Sequence, residues 1–291
     1  MMADPMAAGM ARALARARGE EPEADSLEGS EAEEIQVPPS ADEVKAAQHT
    51  IARWGRRKLS RKKLAERVGT LDASVGTRAA ALQVSQGISR ATVQPLVVVP
   101  NVLPAAVAEA ALTVLRAVPE ETWQVATAST DIGEHAEGSG TAAHRFAGCA
   151  RDDAAALEPI FAALEGLIAQ PVVLQCGRYE RGDFIEPHDD MAFVQSNGVE
   201  HSRDIAIVLH LTPDWCLDDG GTFVDHAGKV ARSPVFNSLV AFRVPRLHEV
   251  APVIGRAARF SIYGWFLAPG KLYQLSCVDG RKQKGKRKRT A

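Results

Sequence analysis

Hydrophobic and polar positions follow two different periods along this chain, and the change of period falls near residue 170. In Ala41–Trp54 the apolar positions Val44, Ala47, Ile51 and Trp54 recur every three or four residues, which predicts a helix. Leu103-Pro104 opens a second helix to about Ala117, with Val107, Ala111, Leu112 and Leu115 on one face. A third amphipathic helix is expected from about Asp153 to Ala169, and Gln94–Pro100 reads as a short buried strand. Beyond Ala169 the chain breaks into short β-rich runs separated by Gly, Pro, Asp and Asn: Val172–Cys176, Ile205–Leu211, Gly221–Val224, Ser238–Val244 and Arg259–Leu267. Runs this short and this closely spaced predict a sandwich or barrel with helices packed outside it. No internal repeat is visible.

Length and charge narrow this picture. The 291 residues, 46% of them hydrophobic, suffice for one sizeable core with appendages and not for three domains. With 34 basic and 36 acidic side chains, no global charge imbalance marks the chain as a nucleic-acid or membrane-surface binder. No stretch is long and apolar enough to span a bilayer, so no membrane partner is expected.

Charge is instead concentrated locally. Glu20–Glu34 carries eight acidic and no basic side chains, so residues 1–40 are expected to be disordered, closed off by Pro38-Pro39. The segment 41–90 is basic and helical: Arg53, Arg56, Arg57, Lys58, Arg61, Lys62, Lys63 and Arg67 crowd together as a solvated helical face or as an RNA or ribosome contact. The tail 276–291 holds seven basic residues in the nine from Arg281 to Arg289, the composition of a nuclear-localisation signal, an anionic-polymer patch or a solubilising end. Met10–Arg18 has the alternation of a transit peptide, but Asp4 and the acidic stretch oppose import. Cys149, Cys176, Cys216 and Cys277 form no CxxC pair, which fits a reducing compartment, cytoplasmic or nuclear.

Three pieces of the β-rich half carry candidate chemistry. In the run from Tyr179 to Asp190, an extended chain would send His188 and Asp190 to one face and Asp189 to the other, so the pair could hold one metal ion. Arg246–Val250 supplies a second imidazole, His248. In the strand from Arg259 to Trp265, period two places Arg259, Ser261 and Tyr263 on one face. Two imidazoles and one carboxylate suit Fe(II) and leave coordination positions open for a chelating co-substrate and O₂. An Arg with a hydroxyl beside it suits the co-substrate's distal carboxylate. Each piece alone is weak. Their order is not: His-x-Asp, a His 58 residues on, and an Arg-x-Ser strand 11 later.

These motifs resemble the double-stranded β-helix of the iron(II)- and 2-oxoglutarate-dependent dioxygenases, in particular their prolyl-hydroxylase-like branch. Tyr179-x-x-Gly182-Asp183 before Pro187-His188-x-Asp190, then Arg203–Trp215, Gly220-Gly221, Phe236–Phe242, His248-Glu249-Val250 and Arg259–Phe266 follow in that branch's order. The resemblance implies a mainly β fold with flanking helices (α+β) around a jelly-roll core at 172–267, within a domain of 91–275. It implies Fe(II), 2-oxoglutarate and O₂, with ascorbate as a candidate auxiliary, and hydroxylation of a prolyl residue in a protein or peptide with release of succinate and CO₂.

His188, Asp190 and His248 would bind the metal. Arg259 would hold the co-substrate, with Ser261 and Tyr179 as helpers and Arg256 as a competitor. His210 stands where prolyl hydroxylases commonly carry a tyrosine, which alters that contact. A sibling dioxygenase with another substrate, or a binding protein on an inactive scaffold, are the alternatives. Among the neighbours, Gly182 and Gly220-Gly221 read as turn formers, Trp215 and Trp265 as core, Asp183 as a turn cap and Glu249 as a supporting or solvent-facing residue. His135, His144, His201 and His226 read as loop residues.

Overall fold

The computed structural model describes residues 37–56, 64, 96–127, 136–138, 142–196, 198–255 and 257–273. The acidic stretch, the basic segment beyond Arg56 apart from Leu64, and the tail 276–291 lie outside the described residues, as do His135, Arg256 and Cys277.

Helix α1 (Ala41–Gly55) starts where Ser40 and Glu43 cap each other reciprocally, the Ser40 amide donating to the Glu43 carboxylate at 2.8 Å. Helix α2 (Ala105–Arg116) follows Pro104 as expected. The third predicted helix is split: a 3₁₀ segment, Asp152–Leu157, is kinked at Ala154 (φ −112°, ψ 38°) before α3 (Glu158–Glu165). Pro159 is the reason. It has no N–H to return to Ala155 and is tolerated only in a first turn, so the regular helix restarts there.

The strands in chain order are β1 (Val97–Val99), β2 (Gln124–Thr127), β3 (Ala136–Gly138), β4 (His144–Ala150), β5 (Val172–Tyr179), β6 (Phe184–His188) and β7 (Ala192–Ser196). They continue with β8 (Val199–His210), β9 (Phe223–Asp225), β10 (Val230–Arg232), β11 (Ser238–Arg243), β12 (His248–Val250) and β13 (Arg259–Pro269). Pairing is antiparallel, in the order β1-β11-β8-β13-β5-β4-β6-β12-β9-β10, with β2 on β4 and a β3-β7-β8 extension. Strand β4 carries β5 on one stretch and β6 on the next, joining a wall β11-β8-β13-β5 to a wall β6-β12-β9-β10. This is the double-stranded β-helix, open between the walls.

Period two then sorts the side chains. Ile205, Ile207 and Leu209 of β8, Leu239 and Ala241 of β11, and Phe260, Ile262 and Phe266 of β13 face the helices. There they meet Ile51 and Trp54 of α1, Leu112 and Leu115 of α2, and Ile160 and Phe161 of α3. Each Leu, Ile or Phe side chain among them, taken fully out of water, contributes about 1.5–3 kcal/mol. Helix α1 is therefore part of the same core as the sheet. The opposite face of this wall presents Tyr179, His210, Arg259, Ser261 and Tyr263 to the barrel interior.

Two expectations are corrected. Strand β1 is an edge strand and not a buried one: Val98 is 38% exposed, because β11 pairs on one side only among the described residues. The run expected from Gly221 forms strand only from Phe223 on, and Gly220 and Gly221, with positive φ (70° and 58°), are the turn formers that the sequence indicated.

Candidate metal and co-substrate site

The interior site is assembled from both walls. After Tyr179, a turn with Gly182 at φ 88° interrupts the strand without reversing it, since β5 and β6 both run antiparallel to β4, and the Asp183 carboxylate caps the turn by accepting the Glu180 amide at 2.8 Å. Strand β6 follows and ends on His188. Asp190 is not on that strand. It sits at φ 64°, in a bend where the Met191 amide donates to the Asp189 carboxylate at 3.0 Å. The two residues thus reach a common point through a left-handed turn, and not through strand alternation as the spacing suggested. His248 opens β12 and lies directly across from His188.

The outcome is compact. His188, Asp190 and His248 each offer a ligand atom, and these atoms lie within 4.8 Å of one another. His188 Nε2 is 3.3 Å and His248 Nε2 3.6 Å from the Asp190 carboxylate oxygens. The Nδ1–H of His188 donates to the Glu186 carbonyl at 2.8 Å, and that of His248 to the Arg246 carbonyl at 2.6 Å. A carbonyl only accepts, so both tautomers are set and both Nε2 lone pairs aim at the same point. Phe223 and Phe242 wall in His248, with ring centroids 5.2 and 4.7 Å away.

The electrostatics agree with a cation site. Burial, together with the neighbouring imidazole His188, pushes His248 down to about 4 despite the opposing Asp190 charge, which keeps it neutral and available as a ligand. Burial opposes ionisation of Asp190, but the imidazoles hold it well below the usual carboxylate range. Burial likewise opposes charging of His188, yet the Asp190 carboxylate outweighs it and raises its pKa. Two imidazoles and one carboxylate on one point form the donor set that suits Fe(II) and leaves further positions open.

The facing wall supplies an anion site. Arg259 pairs across from Tyr179, and Ser261 sits in one row between Gly177 and His210. The Arg259 guanidinium is buried, donates Nη1–H to the Gly221 carbonyl, and lies 4.5 Å above the Tyr179 ring. It has no carboxylate partner among the described residues, and its Nε–H is unpaired. A buried cation without a counter-charge is costly, and burial lowers its pKa accordingly. His210 Nδ1 is likewise buried and unpaired, and burial with the Arg259 charge holds the ring neutral. A side chain at Gly177 would press on Tyr263 (3.0 Å) and Ser261 Oγ (3.2 Å), so the glycine keeps this floor open. These groups fit a bound carboxylate of the 2-oxoglutarate type.

Residues 174–267 match the 2OG-Fe(II) oxygenase superfamily. Over that stretch, about a third of the chain, the protein is similar to this superfamily. The chain resembles prolyl 3-hydroxylases of Mus musculus and Xenopus laevis, at 32% and 31% identity over 119 and 111 residues, or 36% and 34% of this chain. That is 20% of each relative, so the chain spans a fifth of the length of these curated proteins. Among solved structures, a prolyl-4-hydroxylase of Pseudomonas putida is 21% identical (TM-score 0.46; 67% of this chain, 100% of that one). A prolyl hydroxylase of Trichoplax adhaerens, in complex with a hypoxia inducible factor oxygen degradation domain peptide, is 16% identical (TM-score 0.48; 72% and 93%).

Several residues around the site were not legible in the sequence. Counting by twos from His210 puts Asp204 inside and Arg203 outside. A register shift in the β8–β13 pairing inverts this: Arg203 stacks 3.7 Å over inward-facing Trp265, while Asp204 turns to the helix side and pairs with Arg243 and Gln170. Glu249 is buried in β12, the supporting position of its two readings, 3.3 Å from His226, which lies in the turn between β9 and β10 as a loop residue. His144 and His201 lie in β4 and β8.

Proposed function

We propose that this oxygenase hydroxylates a C–H bond of a prolyl residue in a protein or peptide, using Fe(II), 2-oxoglutarate and O₂ and releasing succinate and CO₂. The observation that carries it is the meeting of His188, Asp190 and His248 within 4.8 Å, opposite a buried Arg259 that lacks a counter-charge among the described residues. The prolyl assignment is supported by the identity to the two prolyl 3-hydroxylases.

His188 and His248 would hold the metal through Nε2 and Asp190 through its carboxylate. Arg259 would grip the distal carboxylate of the co-substrate with charge-assisted bonds, with His210, Ser261 and Tyr179 shaping its pocket. When bound, the iron and co-substrate together supply the oxidising power that converts C–H to C–OH. The chain's own residues bind, orient and exclude water: Phe223, Phe242 and Phe146 line the interior, and neutral His210 adds no charge beside Arg259.

The test is turnover of the full chain with Fe(II), 2-oxoglutarate and O₂ against prolyl peptides, non-prolyl peptides and free amino acids. The expected result is the mass gain of one oxygen atom on a prolyl residue, matched by succinate. Oxygen insertion into other substrates only would remove the prolyl assignment. No 2-oxoglutarate-dependent product, with or without added ascorbate, would remove the enzyme.

A further inference from the structure

Within the wall β6-β12-β9, His188, His248 and Asp225 are direct cross-strand partners, and residues so paired share a face. A second carboxylate therefore stands beside the metal-facing imidazole, yet it does not join the ligand cluster. It is held by Arg246, whose Nε–H donates to Asp225 Oδ1 at 3.0 Å and whose Nη2–H donates to Oδ2 at 2.6 Å, a two-pronged grip. Both side chains are buried, at 6% and 3% exposure. The Gly228 amide adds a third bond to Oδ1 at 3.0 Å, and a side chain at Gly228 would collide with Asp225 Oδ2 at 2.3 Å.

The backbone of Arg246 does something else. Its carbonyl accepts the Nδ1–H of His248 at 2.6 Å, and its amide donates to the Asp189 carbonyl at 3.3 Å, one residue before Asp190. One peptide position thus touches the supports of both His248 and Asp190, and its side chain is anchored to a strand outside the ligand loops.

We infer that the Arg246–Asp225 pair is the positioning device of the metal centre: it locks the Arg246 peptide, and through it the aim of His248 and the bend of Asp190. The inference rests on the metal site proposed above. Arg246 and Asp225 are positioning residues and touch no reacting atom. A pair that served stability alone would have no effect on metal affinity in the folded protein.

The experiment is Co(II) titration of the full chain, followed by visible absorption, with thermal unfolding measured with and without Co(II). Asp225→Asn keeps the shape of the side chain and removes its charge, and Arg246→Lys keeps the charge and removes the fork. Each is expected to raise the Co(II) Kd about 10–100-fold, the usual effect of mutating the outer partner of a metal-ligating side chain, and to shrink the Co(II)-induced rise in Tm. Asp204→Asn, in the buried Arg243–Asp204 pair on the helix side of the sheet, is the comparison: it should lower the metal-free Tm and leave the Co(II) Kd unchanged. Folded Asp225→Asn and Arg246→Lys proteins that bind Co(II) within about twofold of the parent would overturn the inference, since a side chain that aims a ligand has a larger effect when it is replaced. Tighter Co(II) binding by either variant would overturn it too: in Arg246→Lys because Asp225 would then be a ligand held in reserve by the fork, and in Asp225→Asn because the grip would then oppose the metal site and not position it. A parent protein that binds no Co(II) would instead remove the metal site itself.

Discussion

Arg259→Leu separates a co-substrate anchor from a structural arginine. In the folded protein this guanidinium is buried, bonds the Gly221 carbonyl, and keeps an unpaired Nε–H with no carboxylate partner among the described residues. Replacing an uncompensated buried charge with an apolar side chain removes a desolvation penalty, so the metal-free Tm should hold or rise. Binding of 2-oxoglutarate should collapse. Two charge-assisted hydrogen bonds, each contributing about 1.5–3 kcal/mol, amount to about 3–6 kcal/mol. At about 1.4 kcal/mol per tenfold, the 2-oxoglutarate Kd should weaken roughly 10²- to 10⁴-fold. The assay is an anaerobic 2-oxoglutarate titration of the Fe(II)-loaded protein, read by visible absorption, beside a melt of the metal-free form. A lowered Tm with an unchanged 2-oxoglutarate Kd would refute the reasoning, because Arg259 would then be serving the Gly221 turn and not a ligand.

Other expectations are more direct. His188→Ala or Asp190→Ala should abolish 2-oxoglutarate-dependent succinate formation and Co(II) absorption while far-ultraviolet circular dichroism stays that of the parent; retained metal absorption would displace the ligand from that position. Ile51→Ala, at a fully buried position of α1, should cost about 2–5 kcal/mol in denaturant unfolding, and a cost below about 0.5 would mean that α1 is not part of the core. Gly264→Ala would drive a methyl group to 1.9 Å from the Val173 carbonyl, so β5 and β13 must separate, and Tm should fall more than for a typical overpacked site of about 1–3 kcal/mol. Burial, with the Asp153 charge adding, pushes the Cys149 thiol up to about 11, so at pH 8 only about one molecule in a thousand carries the thiolate. Native labelling at pH 8 should therefore spare Cys149 and Cys176 and reach exposed Cys216. Because folding raises this thiol pKa, Cys149 contributes stability below the unfolded value of about 8.5, and that contribution is lost as pH climbs toward 11.

Much of the site is written in local pattern. Alternation along Ile205–Leu211 and Arg259–Leu267 assigns inner and outer faces without coordinates, because a strand's side chains have only two directions to point. The same alternation puts Arg259, Ser261 and Tyr263 on one face, and the order of His188, Asp190, His248 and Arg259 along the chain carries the family resemblance. Tertiary structure decided where periodicity is interrupted or partners are distant. Asp190 reaches His188 through a left-handed turn, a bulge reverses Arg203 and Asp204, and Pro159 restarts a helix that composition alone ran through. The Asp225–Arg246 grip and the Glu249–His226 contact join residues on neighbouring elements. Hydrophobic period reports which face is buried; it says nothing of register, and one added residue flips every side chain after it. Convergence of His188 and His248 depends on two strands pairing side by side in the closed wall, a long-range fact that no window of sequence contains.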